Sequence, residues 1–93
     1  MLDLNDAALF VEVVRAGSFA AASRRLGQPA NIISRRLQEF ERRVGQRLLQ
    51  RSTRRMAPTS GGHALFAKCA QRVESLAQSA RELTEGAHEE AFQ

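Results

Sequence analysis

Three short amphipathic segments, each followed by a glycine, fill the first 45 residues and limit the folds open to this chain. Apolar residues recur in them at spacings of three and four, which predicts helices over residues 4–15, 19–26 and about 29–44. Gly27 ends the second helix, because a residue without a Cβ adopts the left-handed backbone conformation at little cost in energy. A short helix, a tight turn containing glycine and a second helix together predict a helix-turn-helix.

Side-chain chemistry indicates how these helices begin and which faces they bury. Asp3 or Asn5 can cap the first helix and Ser18 the second, because short polar side chains accept hydrogen bonds from free amide groups. Pro29 suits the first turn of the third helix, where its missing N–H costs nothing. The predicted inward residues are Ala7, Phe10, Val11 and Val14, then Ala21, Ala22 and Leu26, then Ile33, Leu37, Phe40 and Val44.

A hairpin and a long helix are predicted after the third helix. The stretches LLQR and RMAP flank the polar turn at residues 52–54, which predicts two strands of a wing. Thr59 can cap a final helix that ends near Glu85, before Gly86, with a length of about 39 Å. The predicted fold class is therefore mainly α, a winged helix-turn-helix with three helices and a two-stranded wing, followed by a long linker helix.

The long helix carries an apolar stripe that this small chain cannot cover by itself. Such a stripe needs another helix, and the same helix of a second copy is the economical solution. The predicted dimerisation residues are Leu65, Cys69, Val73, Leu76, Ala80 and Leu83. We accordingly predict a winged unit over residues 1–58, a linker dimerisation helix over residues 59–86 and a frayed tail over residues 87–93.

Composition restricts the function further. The 93 residues, 43% of them hydrophobic, suffice for one small domain. Residues 1–58 carry eleven arginines and five acidic residues, a net charge of +6, whereas the remainder has a net charge of −2. The planar guanidinium group of arginine can donate two parallel hydrogen bonds to a phosphate or to the edge of a guanine. A basic surface that is merely solvated remains an alternative.

Several classes of function are disfavoured. No nucleophile–base pair, paired catalytic carboxylates or glycine-rich phosphate loop is visible, so we predict no enzyme and no cofactor. His63 and His88 lack partners at metal-ligand spacing, so no metal site is expected. A single cysteine, Cys69, fits a reducing cytoplasm, and a small buried hydrophobe is its default role. The start MLDLND and the short apolar runs predict neither a signal peptide nor a membrane span.

The outward face of the third helix is the most informative surface. With Ile33, Leu37 and Phe40 facing inward, the exposed residues are Ala30, Asn31, Ser34, Arg35 and Gln38. Small residues permit close approach to a DNA groove, and amide and guanidinium groups offer donors to base edges. A solvated face would more often carry compensating pairs, such as Arg42 and Arg43 beside Glu39 and Glu41.

The pieces GSFAAA, ISRR, FE, VGQRLLQR, TRR and TSGG occur in this order within residues 3–85. In these pieces, and in the spacing between them without insertion or deletion, the chain resembles a known family, the N-terminal DNA-binding domain of LysR-type transcriptional regulators. The resemblance implies a winged helix-turn-helix, dimerised through the linker helix, that binds double-stranded promoter DNA. It leaves a tetramer open for a full-length protein.

The resemblance also assigns contacts to residues. Base contacts fall on Ala30, Asn31, Ser34 and Arg35, a minor-groove contact of the wing on Arg54, and a phosphate contact on Ser18. We add as phosphate contacts Arg24, Gln38, Arg51 and Arg55. Two half-sites read by a dimer predict an interrupted palindrome.

Two departures from the family pattern occur. The family's Ser-Gln-Pro at the start of the recognition helix aligns with Pro29-Ala30-Asn31, and the local Gln28-Pro29 lies two positions early. Asn31 could replace the family's Gln at an adenine, whereas Ala30 could only contact a thymine methyl. Leu49 replaces a usual Phe and should only repack the wing.

Two other functions remain open. A helical interaction module could present its basic face to an acidic protein, and a salt titration of binding to mixed DNA would distinguish this case. A DNA-binding antagonist could instead heterodimerise through the linker helix.

Overall fold

The structure is a computed structural model that describes the backbone of residues 3–51 and 56–92, and the side chains through residue 86. Its elements, in chain order, are α1 (Leu4–Ala16), α2 (Phe19–Leu26), α3 (Ala30–Val44), β1 (Leu49–Arg51), β2 (Met56–Pro58) and α4 (Ser60–Phe92). The two strands pair antiparallel, with Gln50 opposite Ala57. The mainly helical fold with a two-stranded wing and a long final helix is confirmed.

The predicted capping residues begin the helices. The amide of Asn5 donates to Asp3 Oδ1 at 2.8 Å, and that of Ala21 donates to Ser18 Oγ at 3.0 Å. At α4, the amide of Gly62 donates to Thr59 Oγ1 at 3.0 Å. The predicted glycines end α1, α2 and α3 with positive φ angles, which explains why the three boundaries could be predicted closely.

The core lies where α1, α2 and α3 meet beneath the wing. The rings of Phe10 and Phe40 lie 6.0 Å apart, and Ala22, at 1% exposure, lets α2 approach both neighbours closely. Ile33, Leu37 and Phe40 are buried as predicted. The buried residues that form the core cluster are Leu9, Phe10, Val13, Ala22, Ile33, Leu37, Phe40, Leu48 and Leu49.

The buried face of α1 differs from the prediction. Phe10 and Val11 are buried, but Ala7 and Val14 are only half-buried, and Leu9 and Val13 are buried as well. The cause is that α1 contacts α2, α3 and α4, so that its buried arc is wider than one stripe.

The end of α4 also differs from the prediction. The helix does not stop near Glu85 but continues through Gly86 to Phe92. A glycine inside a helix costs only about 0.5–1 kcal/mol, and the alanines and glutamates that follow it favour helix. With 33 residues, α4 is about 50 Å long.

Candidate nucleic-acid interface

The outward face of α3 lies opposite its buried stripe. Asn31, Arg35 and Gln38 are exposed, whereas Ala30 and Ser34 are half-buried at the flank of this face. The spacings of four and three residues place the exposed three on one side of the helix. All five residues that the sequence analysis placed on this face therefore retain accessible surface.

The turn into α3 is held by a side chain of α2. The hydroxyl of Ser23 donates a hydrogen bond to the carbonyl oxygen of Gln28. Gln28 lies in this turn, and Pro29 immediately precedes the first residue of the helix. The local Gln-Pro pair therefore leads into α3, and Ala30 and Asn31 occupy its first two positions.

The start of α2 presents groups suited to an anion. Ser18 accepts the amide hydrogen of Ala21, and its hydroxyl retains a hydrogen of its own to donate. The N-terminus of a helix also carries partial positive charge. Arg24, in the last turn of α2, is exposed. Both residues are accessible to a phosphate, as their predicted role requires.

Arg36, on the side of α3 away from this face, binds α1. Its Nη2 lies 2.9 Å from Asp6 Oδ1, and its Nε lies 3.3 Å away. Arg43 Nη1 lies 3.9 Å from Asp6 Oδ2, and Asp6 is only 9% exposed. Sequence reasoning placed Arg36 at the periphery but missed its partner. The available signal was an acidic residue at helical spacing from Leu9 and Phe10.

Glu41 joins α3 to the wing. Its Oε2 accepts the amide hydrogens of Leu48 at 2.8 Å and Leu49 at 3.2 Å, and its Oε1 lies 2.9 Å from Arg51 Nη2. The Glu41 side chain is 10% exposed. The sequence pattern predicts a solvated pair of Glu41 with Arg42 or Arg43. That interpretation is wrong, because the chain reverses after Gly45 and returns β1 to this carboxylate.

Arg51 lies between three elements. Its guanidinium carbon is 5.5 Å from the centroid of the Phe19 ring in α2, a cation–π distance, and its side chain is 24% exposed. The 2.9 Å contact with Glu41 is electrostatic, because neither Nη2 nor Nε makes a well-angled hydrogen bond among the described residues. Arg51 therefore ties β1 to α2 and α3, a role that sequence reasoning did not foresee when it assigned Arg51 to a phosphate. The predicted contacts Arg54 and Arg55 lie outside the described residues.

The predicted dimerisation stripe runs along α4 from the core outward. Leu65 packs against the core, and Cys69 and Val73 are half-buried. Farther along, Leu76 is 63% and Leu83 is 75% exposed, and Ala80 is exposed as well. Part of the stripe lines an apolar groove of about 280 Å³ between the start of α1 and α4. The lining residues of this groove are Leu4, Asn5, Ala7, Ala8, Cys69, Arg72, Val73 and Leu76.

The Cys69 thiol is half-buried and lies near Arg72. Burial raises the pKa of its thiol, and the nearby Arg72 guanidinium offsets only part of that rise. Among the described residues, no group of three His, Cys, Asp or Glu side chains could hold a metal ion. The same part of the chain contains no helix with the length and apolarity needed to cross a membrane.

Comparison with known proteins relates this geometry to a family. The model for "Bacterial regulatory helix-turn-helix protein, lysR family" matches residues 4–63. The chain belongs to this family. The match covers α1, the helix-turn-helix, the wing and the start of α4, and it confirms the resemblance drawn from the sequence.

Individual relatives agree with this membership of the lysR family. An HTH-type transcriptional regulator of Xanthomonas campestris pv. campestris (strain 8004) is 48% identical over 83 residues, which are 89% of this chain and 22% of the relative. The chain thus spans less than a quarter of that protein. As the relative is a regulator and the family a regulatory helix-turn-helix family, the prediction that the chain is not an enzyme is confirmed.

Solved structures share the fold. The full-length Vibrio cholerae virulence activator AphB, a member of the LTTR family, matches with a TM-score of 0.82 and 34% identity over 88% of this chain and 28% of that chain. The DNA-binding domain of BenM in complex with catB site 1 DNA matches with a TM-score of 0.83 and 27% identity over 91% of this chain and 94% of that chain. The chain therefore has the fold of a LysR-type DNA-binding domain.

Proposed function

We propose that this chain binds double-stranded promoter DNA sequence-specifically, as a homodimer, and regulates transcription in the cytoplasm. The observation that carries the proposal is the face of α3 formed by Asn31, Ser34 and Arg35, opposite the buried Ile33 and Leu37. A helix with short polar side chains fits a major groove, and its amide and guanidinium groups match adenine and guanine edges. The BenM domain in complex with DNA supports DNA binding by analogy.

The remaining contacts complete the proposal. Ser18, Arg24 and Gln38 would fix the domain on the phosphate backbone, and Arg54 of the wing would enter the adjacent minor groove. A·T-rich flanks would favour the wing contact, because they narrow that groove and strengthen its negative potential. Paired half-sites would form an interrupted palindrome with centres about one helical turn or more apart.

The Arg35→Ala substitution should weaken binding to a preferred site by about 1–3 kcal/mol, roughly fivefold to 150-fold, and relax specificity at one base pair in each half-site. The reason is the loss of a bidentate contact to a base edge. Sites selected from a random DNA pool, followed by titration of wild type and variant on selected and unrelated duplexes, would measure the effect.

Arg43→Ala is the matched control for Arg35→Ala. Arg43 lies on the same helix but is turned toward Asp6, so its removal should leave the preference for the selected site unchanged. An unchanged ratio of selected to unrelated binding in Arg35→Ala would contradict this assignment of the reading face. A salt titration that gave a flat slope for the wild type would favour an interaction module with a protein partner instead.

Dimerisation is expected to depend on the outer part of α4. Leu76→Glu should raise the dimer dissociation constant by roughly a hundredfold or more, because a buried leucine contributes about 1.5–3 kcal/mol and a dimer buries two copies. Ser75→Glu is the matched control, since Ser75 is exposed and lies off the stripe. Sedimentation equilibrium would measure both variants, and equal dissociation constants would contradict dimerisation through this stripe.

A further inference from the structure

A second cleft, of about 320 Å³, lies between the C-terminal half of α3 and the base of the wing. Its lining residues are Gln38, Glu41, Arg42, Arg47 and Arg51. Three guanidinium groups and one carboxylate give this cleft a formal charge of +2. Such a concentration of arginine favours an anion.

The charged groups on the floor of the cleft are paired with each other, whereas those on its rim are exposed to solvent. On the floor, Glu41 and Arg51 are paired at 2.9 Å and largely buried. On the rim, Arg47 is exposed, and the Arg42 side chain is 73% exposed. Arg42 contacts Glu39 at 2.6 Å, but the Glu39 side chain is itself 48% exposed, and exposed pairs of this kind are weak. The rim arginines can therefore turn to an incoming anion.

The cleft continues the reading face along α3. Gln38 and Arg42 follow Asn31 and Arg35 at spacings of three and four residues, on the same side of the helix. Arg42 lies eleven residues beyond Asn31, about 16 Å along the axis. Because the major groove is only about 12 Å wide, a helix whose first turn contacts bases brings Arg42 to the sugar-phosphate backbone.

Because the cleft lies beside the wing, it faces one particular strand of the DNA backbone. In the proposed complex α3 occupies a major groove and the wing occupies the neighbouring minor groove. The sugar-phosphate strand that separates those grooves must pass between the two elements, where the cleft is.

We propose that the cleft binds a single DNA backbone phosphate, shared by the guanidinium groups of Arg42 and Arg47, with the amide of Gln38 as a further donor. The proposal rests on the function proposed above and deepens it. Sequence reasoning placed Arg42 in a solvated pair with the neighbouring acidic residues and gave Arg47 no role. Neither Arg42 nor Arg47 is among the DNA contacts predicted from the sequence.

The test is the salt dependence of binding to an unrelated duplex of fixed length, measured by fluorescence anisotropy. Each phosphate contact that is lost should make the slope of log K against log salt shallower by about 0.9 per protomer. Arg42→Ala and Arg47→Ala should each give a change up to that size. In the double variant the slope of log K against log salt should become shallower by about 0.9 per protomer in total, because both arginines contact the same phosphate.

Two features keep the variants interpretable. The Arg47 backbone carbonyl, which accepts a hydrogen bond from Thr59 at 2.8 Å, is retained on substitution by alanine. Arg43→Ala removes the same charge from the neighbouring position, beside Asp6, and should leave the slope unchanged. Circular dichroism and thermal melting of each variant would confirm that all of them are folded.

The outcomes separate the two proposals. Rim variants that behave like Arg43→Ala, with the wild-type slope still steep, would overturn the cleft site but leave DNA binding intact. A slope that became shallower by about 1.8 per protomer in the double variant would contradict the proposal that the two arginines share one phosphate. A flat wild-type slope would overturn DNA binding itself.

A variant that gains affinity provides a second line of test. Glu39→Gln removes the carboxylate that competes for Arg42 and should tighten binding at low salt by about two- to five-fold. Glu12→Gln is the matched control, because it makes the same charge change on α1, next to Arg15. Equal gains from the two substitutions would show a general charge effect and contradict the local role of Glu39.

Discussion

Replacing Glu41 with alanine is expected to lower the free energy of unfolding by about 3–5 kcal/mol, a large share of the stability of a small domain. The substitution removes the acceptor for the amides of Leu48 and Leu49 and leaves the guanidinium of Arg51 without its counter-charge. Buried donors without partners and an unpaired buried charge are both costly. Urea unfolding followed by circular dichroism would measure the change.

Two further substitutions separate the causes. Glu39→Ala removes a carboxylate from the same helix, where Glu39 lies 2.6 Å from Arg42. Because this ion pair is exposed, the free energy of unfolding should fall by at most about 1 kcal/mol. Glu41→Gln keeps one oxygen acceptor for the amides, but it loses the charge and puts an NH2 donor near Arg51, so the loss of unfolding free energy should fall between the other two. A cost for Glu41→Ala no greater than that of Glu39→Ala would contradict the joining role of Glu41.

Gly62→Ala is the second substitution with a large expected effect. A Cβ at this buried position would overlap the backbone carbonyl of Leu48 and lie 3.2 Å from the Cβ of Pro58. That carbonyl also accepts the amide hydrogen of Thr59 at 3.0 Å, so moving it disturbs another bond. Overpacking against backbone should cost about 1–3 kcal/mol or more, measurable as a lower urea midpoint.

Two other glycines of α4 serve as controls for Gly62→Ala. A Cβ at Gly61 would meet only the end of the exposed Gln46 side chain, which can rotate away. A Cβ at Gly86 would meet no neighbouring atom within 4 Å, and alanine there should stabilise the helix by up to about 1 kcal/mol. Equal destabilisation by all three substitutions would contradict a specific close approach at Gly62.

Local chemistry explains why so much of the fold could be predicted. Asp3, Ser18 and Thr59 begin helices through bonds to amides two or three residues away, and such bonds are visible in sequence spacing. The face of α3 could be predicted for the same reason. Its buried positions repeat at helical spacing, so the position of Arg35 on the opposite side follows directly.

The missed features depend on distant parts of the chain. Asp6 and Arg36 are thirty residues apart, and no periodicity within α1 or α3 links them. Glu41 and Arg51 meet only because the chain reverses between α3 and β1. In the sequence, Glu41 stands beside two arginines, and nothing local indicates that it prefers a third. The cleft shared by Arg42 and Arg47 could not be predicted, because it exists only once the wing folds back on α3.

The hydroxyl of Thr59 anchors the start of the long helix α4. This one group donates to the carbonyl of Arg47 at 2.8 Å and accepts from the amide of Gly62 at 3.0 Å, so that it connects the turn after α3 to the first turn of α4. A tilt of about 5° there would move the far end of a 50 Å helix by about 4 Å, close to the 3.4 Å rise of one base pair. In the proposed dimer, the direction in which α4 leaves Thr59 would therefore set the distance between the two DNA-binding domains.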